Sequence, residues 1–241
     1  MRAILTFHSV DPSGSVLSIA PEQLRSLVAA IKRSGHRIVP LRDLLDSPAE
    51  ARQIALTFDD GMRSLHEHAL PVLRDEEAPA TVFLTSDYVG RNNRWPSLPE
   101  QAPTMAMMSW GEVEELHAAG WMVEAHTAAH PDLRRLSDAA IREEFERGDR
   151  AIQQRLGYRP EIFAYPYGYW DARVRAIAAG RYRYSLTARM GTLRASVADP
   201  HRIPRLETYY FRAPGIHSRF GTLPFAAYLV ARAALRRLRR G

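Results

Sequence analysis

The sequence predicts an α/β domain built on a mainly parallel sheet, open or closed into a barrel. Three observations predict it. Short apolar runs of strand character alternate along the chain with amphipathic helical segments. His8, Asp59, Asp60, His126 and Tyr167 each follow closely on one of those apolar runs, and sites in such folds collect at the carboxyl ends of the strands. The 241 residues, 46% hydrophobic and 25% charged, suffice for one sizeable core, and a barrel of this length is commonly one domain.

The elements follow in order. Ala3 to Phe7 reads as the first strand, with His8 at its end. The run is short and lacks a small-residue cleavage site, so it is read as a strand and not as a signal peptide. Pro21 to Ser34 reads as a helix with Leu24, Leu27, Val28 and Ile31 on one face, stopped by Gly35. Arg37 to Leu41 is expected to be a short strand. The run Ile54-Ala55-Leu56 continues into Thr57-Phe58-Asp59-Asp60-Gly61, a buried strand ending in two adjacent carboxylates. A helix is expected from Arg63 to Asp75 and a buried strand from Thr81 to Leu84. Tyr88 to Met108 is rich in Pro, Asn, Trp and Met, and so long a connection is usually functional.

Ser109 caps a helix to Ala119, with Glu112 in the capping-box position. Trp121 to Ala125 is a strand, and His126 follows it. Ser137 caps a longer helix to Leu156. Ile162 to Tyr165 is a strand leading into Pro166-Tyr167-Gly168. Asp171 to Ala179 is helical, and Tyr184 to Thr187 and His201 to Thr208 are the last strands. Residues 1–220 form the expected domain, and 221–241 a basic C-terminal helix or tail.

Composition narrows the chemistry. Cysteine is absent, which excludes disulfides, a thiol nucleophile and thiolate metal ligands, and fits the cytoplasm. No stretch is long enough to be read as a transmembrane helix. The net charge is +6, but much of the excess is Arg232, Arg236, Arg237, Arg239 and Arg240 near the end. No zinc-finger, P-loop or RNA-binding signature accompanies it, so nucleic acid is not expected as a partner. The tail from Pro224 to Arg240 reads as a helix with Phe225, Tyr228, Leu229 and Leu235 giving apolar character. Anionic headgroups favour basic residues by ~1 kcal/mol each near a membrane surface. The tail is therefore expected at the inner membrane face of a cytoplasmic protein. A docked helix whose terminal arginines suit the helix dipole stays open beside that expectation.

Asp59 and Asp60 carry the first functional signal. Strand side chains alternate in direction, so one carboxylate is expected to bind a metal while the other faces a water or substrate. Gly61 permits a sharp turn beside them. His126-Thr127-Ala128-Ala129-His130 places imidazoles at i and i+4, which a helical turn or tight loop can aim at one ion. With Asp60 they form a His-His-carboxylate set that leaves coordination positions open. Zinc is the expected ion; cobalt, nickel or iron suit the same N/O donors.

Thr57-Phe58-Asp59-Asp60-Gly61, His126-Thr127-Ala128-Ala129-His130-Pro131 and Phe163-Ala164-Tyr165-Pro166-Tyr167-Gly168 together resemble the motifs of the polysaccharide deacetylases. These are the NodB-homology enzymes of carbohydrate esterase family four. The three occur in the family's order, and the likeness runs from about Arg2 to Leu206. It implies a distorted (β/α) barrel and metal-dependent removal of an N-acyl group from an amino sugar in a glycan or glycan precursor. By motif position it implies Asp59 as base, Asp60, His126 and His130 as metal ligands, and the Tyr167 backbone N–H as an oxyanion donor.

Two departures from the pattern stand out. The Arg that many members carry just before the Pro-Tyr-Gly turn is replaced by Ala164 and Tyr165, and Arg202 or Arg205 is placed to supply that charge instead. The family's usual acid is a late histidine. Here His217 lacks a strand before it, whereas Ile4-Leu5-Thr6-Phe7-His8-Ser9-Val10 resembles the start of circularly permuted members similar to poly-N-acetylglucosamine deacetylases. That likeness implies His8 as general acid. Trp95, in the long loop, is the aromatic best placed to stack on a sugar; Trp110, Trp121, Trp170 and Met105, Met107 and Met108 read as packing. Two other readings remain, hydrolysis of a small non-sugar amide and an inactive carbohydrate-binding module. The joint presence of Asp59, Asp60, His126 and His130 argues against the second.

Overall fold

The computed structural model describes residues 1–47, 52–193, 198–212 and 215–238, with side chains followed to 235. Strand β1 (Arg2–Phe7) opens the chain, and a two-residue parallel pair, β2 (Ser9–Val10) and β3 (Ser18–Ile19), follows it. Next come α1 (Pro21–Arg33), β4 (Arg37–Ile38), α2 (Leu41–Asp46) and β5 (Gln53–Phe58). A π-helical turn, Leu65–Ala69, runs into α3 (Leu70–Asp75), and β6 (Ala80–Leu84) returns to the sheet. The second half alternates α4 (Trp110–Ala118), β7 (Met122–Ala125), α5 (Asp138–Leu156), β8 (Ile162–Ala164), α6 (Ala172–Ala179), β9 (Tyr184–Met190) and β10 (Ile203–Glu207). Helix α7 (Leu223–Leu238) ends the described chain.

Among the described residues, seven parallel strands close into a barrel in the order β1-β10-β9-β8-β7-β6-β5, and β5 pairs back onto β1. The closing seam is long: β1 and β5 run in register from Arg2↔Gln53 to Phe7↔Phe58. All six residues of each of these strands are buried, as expected of parallel strands covered on both faces. Alternation then sorts the side chains. Ala3, Leu5, Phe7, Leu56, Phe58, Val82 and Leu84 pack outward against α1, α3 and α4. Ile4, Ala55, Phe83, Ile162, Ala164, Leu186 and Ile203, drawn from around the ring, meet inside it together with Leu41, Leu44 and Leu45 of α2. Helix α2 therefore plugs one end of the barrel.

Three differences from the expected elements have physical causes. The strand expected over Arg37 to Leu41 stops at Ile38, and α2 begins after Pro40, whose φ is −52°. β4 and β6 share one edge of β5: β4 takes Gln53 and Ile54, and β6 takes over from Leu56. The helix expected from Arg63 begins instead as the wider π turn, because Pro71 has no N–H to give the carbonyl four residues back. Finally, β9 and β10 slip in register between Ile203↔Leu186 and Arg205↔Met190. The irregularity lies at Pro204, which cannot donate to the ladder, and such bulges redirect neighbouring side chains.

Candidate active site

Three inward rows lead to the site. Ile4-Thr6-His8, Ala55-Thr57-Asp59 and Ile203-Arg205-Glu207 each run from the apolar interior to the open end of the barrel, two residues per step. Thr6 and Thr57 form the middle layer, their hydroxyls 3.4 Å apart. Above it a cavity of about 450 Å³ collects His8, Asp59, Asp60, His126, His130, Tyr167, Arg205 and Glu207. Thus all seven residues singled out as a site in the sequence line one space.

The backbone is strained where it presents them. Among the described residues, six non-glycine positions have positive φ, and four are in the site: Asp60 (72°), Thr127 (65°), His130 (55°) and Tyr167 (58°). Such positions persist only where the surroundings hold them, at ~1–3 kcal/mol each. β5 ends at Phe58, so Asp59 and Asp60 differ in direction through a turn at Asp60 and not through the strand alternation the sequence suggested. Gly61 is required beside it: its φ is 94°, and a Cβ there would lie 2.5 Å from Leu84 Cδ1. The His126–His130 segment is a loop, not a helical turn. His130 N–H donates to Thr127 Oγ1 at 2.9 Å, and Gly148 of α5 lets that helix approach the Thr127 carbonyl group closely.

Asp60 Oδ1 lies 3.3 Å from His126 Nε2 and 3.4 Å from His130 Nε2, and all three side chains are buried. The carbonyl of Ala164, 2.8 Å from His126 Nδ1, can only accept, so Nδ1 carries a proton and Nε2 is the ring nitrogen turned toward the carboxylate. Asp60 Oδ1 has no hydrogen-bond partner among the described residues. Burial first of all holds the His130 imidazole down at about 3, so it is neutral at working pH. Burial alone would push the Asp60 carboxyl up, but contact with His126 and the charge of His8 outweigh it and hold it low. An anionic oxygen without a hydrogen-bond partner, facing two ring nitrogens in a buried space, suits a cation. The three atoms are the ligand group that fits one, and their N/O character suits a divalent transition metal.

Asp59 is held by a two-pronged contact: Arg205 Nη1 to Oδ1 and Nη2 to Oδ2, both 2.7 Å. Arg205 Nε also donates to the Thr187 carbonyl at 3.2 Å, across the β9–β10 slip. Of the two arginines left open by the sequence, Arg205 is therefore the one beside Asp59; Arg202 lies over the Trp170 ring at 4.7 Å. Burial raises the Asp59 carboxyl, yet Arg205 and then His126 outweigh it, so the group stays ionised. At His8 burial works the other way, favouring the neutral ring, and Glu207, Asp60 and Asp59 overcome it to raise its pKa. His217 sits in a short 3-10 turn, His217–Arg219, and does not line the cavity.

Tyr167 enters through its backbone turn, while its side chain is tied away. Its hydroxyl donates to the Ser97 carbonyl at 2.8 Å and accepts from Trp95 Nε1 at 2.9 Å. Trp95 is 3% exposed and packs on the His130 ring at 4.4 Å. Trp95 does line the cavity, but most of its indole is buried, its N–H held by Tyr167 and its ring packed as a brace against His130. Glu207 was missed. The signal was present, because Arg205-x-Glu207 repeats the two-residue step that already pointed Arg205 inward.

Residues 46–182, more than half of the chain, match the family model described as polysaccharide deacetylase. The chain belongs to the polysaccharide deacetylase family. The matched stretch contains Asp59, Asp60, His126, His130 and Tyr167; His8, Arg205 and Glu207 lie outside it. Two curated relatives carry the name poly-beta-1,6-N-acetyl-D-glucosamine N-deacetylase. The one from Staphylococcus epidermidis is 21% identical over 203 residues, covering 78% of this chain and 67% of that protein. The one from Staphylococcus aureus is 23% identical over 220 residues, covering 86% and 73%. Among solved structures, IcaB from Ammonifex degensii superposes with a TM-score of 0.73 at 24% identity, covering 90% of this chain and 96% of that one. The deacetylase PplD of Streptococcus pyogenes gives 0.72 at 20% identity, covering 86% and 91%. These likenesses establish the barrel as the fold of this family of deacetylases.

Proposed function

We propose that this polysaccharide deacetylase removes an N-acetyl or similar small acyl group from an amino sugar in a glycan or its precursor, in exopolysaccharide synthesis. The observation that carries the reading is the buried facing of Asp60, His126 and His130 beside an Arg205-clamped Asp59. The names of the relatives point to the same class of substrate.

The roles of the residues follow from their surroundings. Asp60, His126 and His130 hold one divalent ion, with zinc the expected metal and cobalt, nickel or iron the alternatives. When bound, that ion supplies Lewis acidity, drawing charge from the acyl carbonyl and making a nearby water easier to deprotonate. Asp59, kept ionised and fixed in direction by Arg205, takes a proton from the attacking water as its oxygen bonds to the acyl carbon. The Tyr167 N–H donates to the oxygen that becomes negative. As the C–N bond breaks, His8 gives a proton to the nitrogen, which leaves as an amine, and the acyl group leaves as a carboxylate. Arg205 and Glu207 act through Asp59 and His8 and are positioning residues. The division of labour is tested by elemental analysis with acetate release from N-acetylglucosamine oligomers. Asp60→Asn should lose metal, whereas Asp59→Asn should keep it and lose turnover. Equal metal loss in both variants would refute the assignment.

The membrane expectation takes a different form once α7 is seen. Phe225 and Leu229 are buried with Phe211 and Phe220, and Tyr228 donates to the Tyr210 carbonyl at 2.7 Å. The outer face is left apolar, with Leu223 86% and Val230 71% exposed. The side chains of Arg236, Arg237, Arg239 and Arg240 lie outside the described residues. We infer peripheral contact of this outer face with an anionic inner-membrane surface. Co-sedimentation with anionic vesicles should weaken in Val230→Asp; unchanged binding would dismiss it.

A further inference from the structure

We propose that Trp95, Ser97 and Glu144 are positioning residues for His130, and that through this one ligand they set how tightly the site retains its metal. The inference rests on the metal reading above and adds to it which side chains outside the ligand set govern affinity.

The two ligand histidines are held in different ways. His126 Nδ1 donates to the Ala164 carbonyl at 2.8 Å, so a hydrogen bond of its own orients that ring, the usual arrangement for a metal-binding imidazole. His130 Nδ1 is buried and has no hydrogen-bond partner among the described residues. The direction of the His130 ring must therefore come from what packs on it. The Trp95 ring lies 4.4 Å away, tilted by 35°, and the Tyr167 ring 4.5 Å away, edge-on at 78°. These two rings are tied to each other, because Trp95 Nε1 donates to the Tyr167 hydroxyl at 2.9 Å. Without Trp95 the imidazole loses one of the two rings that confine it, and the other loses its tie.

The backbone under His130 needs holding as well. Thr127 and His130 both have positive φ, and a relaxed loop would not aim His130 Nε2 at Asp60 Oδ1. Three successive residues of the loop are gripped from outside it. The Ala128 carbonyl accepts from Asp87 N–H at 3.0 Å. The Ala129 N–H donates to Glu144 of α5 at 2.8 Å. The His130 carbonyl accepts from Ser97 Oγ at 2.6 Å. Arg147 joins two of these grips, lying 3.1 Å from Asp87 and also contacting Glu144. A ligand already confined to its binding direction gives up little freedom when the ion arrives, whereas a loose one must be ordered at the expense of affinity.

Zinc affinity, measured by competition with a chromophoric chelator well below the melting temperature of each metal-free protein, tests this. Trp95→Leu, Ser97→Ala and Glu144→Ala should each weaken zinc binding by about 10–100-fold. Ser97→Thr keeps the hydroxyl and Glu144→Gln keeps an acceptor oxygen, so both should bind zinc nearly as the unaltered protein does. Ser97 is only half-buried, so its pair of variants carries the test even if Trp95→Leu does not fold. A purely structural role would lower the melting temperature of the metal-free variants and leave zinc affinity where it was. That result, or Ser97→Thr and Glu144→Gln losing as much affinity as the alanine variants, would overturn the inference while leaving the metal site standing. No zinc binding by the unaltered protein would remove both.

Discussion

At the scale of the residue, the site sets two ionised groups against the effect of their own burial. Asp59 is kept anionic by Arg205, and His8 is kept basic by Glu207 with Asp60 and Asp59. Truncating Arg205 would leave a buried, unpaired carboxylate, a change that costs about 3–5 kcal/mol in other proteins. The clearest prediction concerns the acid. An amide anion is a very poor leaving group, so His8→Ala should cut amide turnover by ~10²–10⁴-fold. Metal content should stay intact, and an ester with a good leaving group should suffer less. His217→Ala, outside the cavity, should behave nearly as wild type. A selective amide defect in His217→Ala would move the acid late in the chain. Because Glu207 raises the His8 pKa, Glu207→Gln should shift the alkaline limb of the kcat/KM profile to lower pH.

At the scale of the element, the Pro166-Tyr167-Gly168 turn shows how a short motif depends on the strand behind it. Gly168 has φ 68°, and a Cβ there would lie 2.3 Å from Ala188 Cβ and 2.5 Å from Ala188 N. The second contact is to backbone of β9, which cannot swing aside. Gly168→Ala should therefore cost at least the ~1–3 kcal/mol of a strained position and displace the Tyr167 N–H. Thermal melting should fall by several degrees and acetate release should drop with it. Ala188→Gly should not rescue the variant, because the backbone nitrogen remains in the way; full rescue would show that only the two side chains conflict. This turn was legible as a motif, since its three residues are consecutive. Its conflict with Ala188 was not, because twenty positions separate them.

At the scale of the whole molecule, the closed ring buries a carboxyl that the chemistry does not use. Glu124 lies on β7 beside Phe83 of β6, and its Oε2 accepts from the N–H groups of Glu161 and Ile162 at 2.9 and 2.8 Å. Burial pushes its pKa from 4.5 up to about 7, against those two donors and Arg42. A folded-state pKa above the unfolded one means that the native state binds the proton more tightly. The resulting stabilisation is complete below about pH 4.5 and is lost as pH rises through 7. Glu124→Gln cannot ionise, so its melting temperature relative to wild type should be several degrees more favourable at pH 8.5 than at pH 5. A pH-independent difference would show that Glu124 does not titrate in the folded barrel.

The sequence by itself determined the period of each element and the residues that follow each strand. Those are local properties: alternation, caps, proline and glycine. They marked Asp59, Asp60, His126, His130, Tyr167 and His8, and the order of the three motifs identified the resemblance. Only the tertiary structure decided which distant groups meet. Arg205 and Arg202 are alike in sequence; a register slip at Pro204 and the single strand β1 between β10 and β5 bring one to Asp59 and leave the other on Trp170. Trp95 read as the aromatic best placed for substrate, and it lines the cavity, but its packing against His130 depends on contacts across the site that its loop sequence does not encode. The closure of β1 between β10 and β5 sets His8 beside Glu207, a pairing of residues nearly two hundred positions apart that no local pattern encodes. Contacts of that kind are fixed by the packing of the ring, which is a property of all its strands at once.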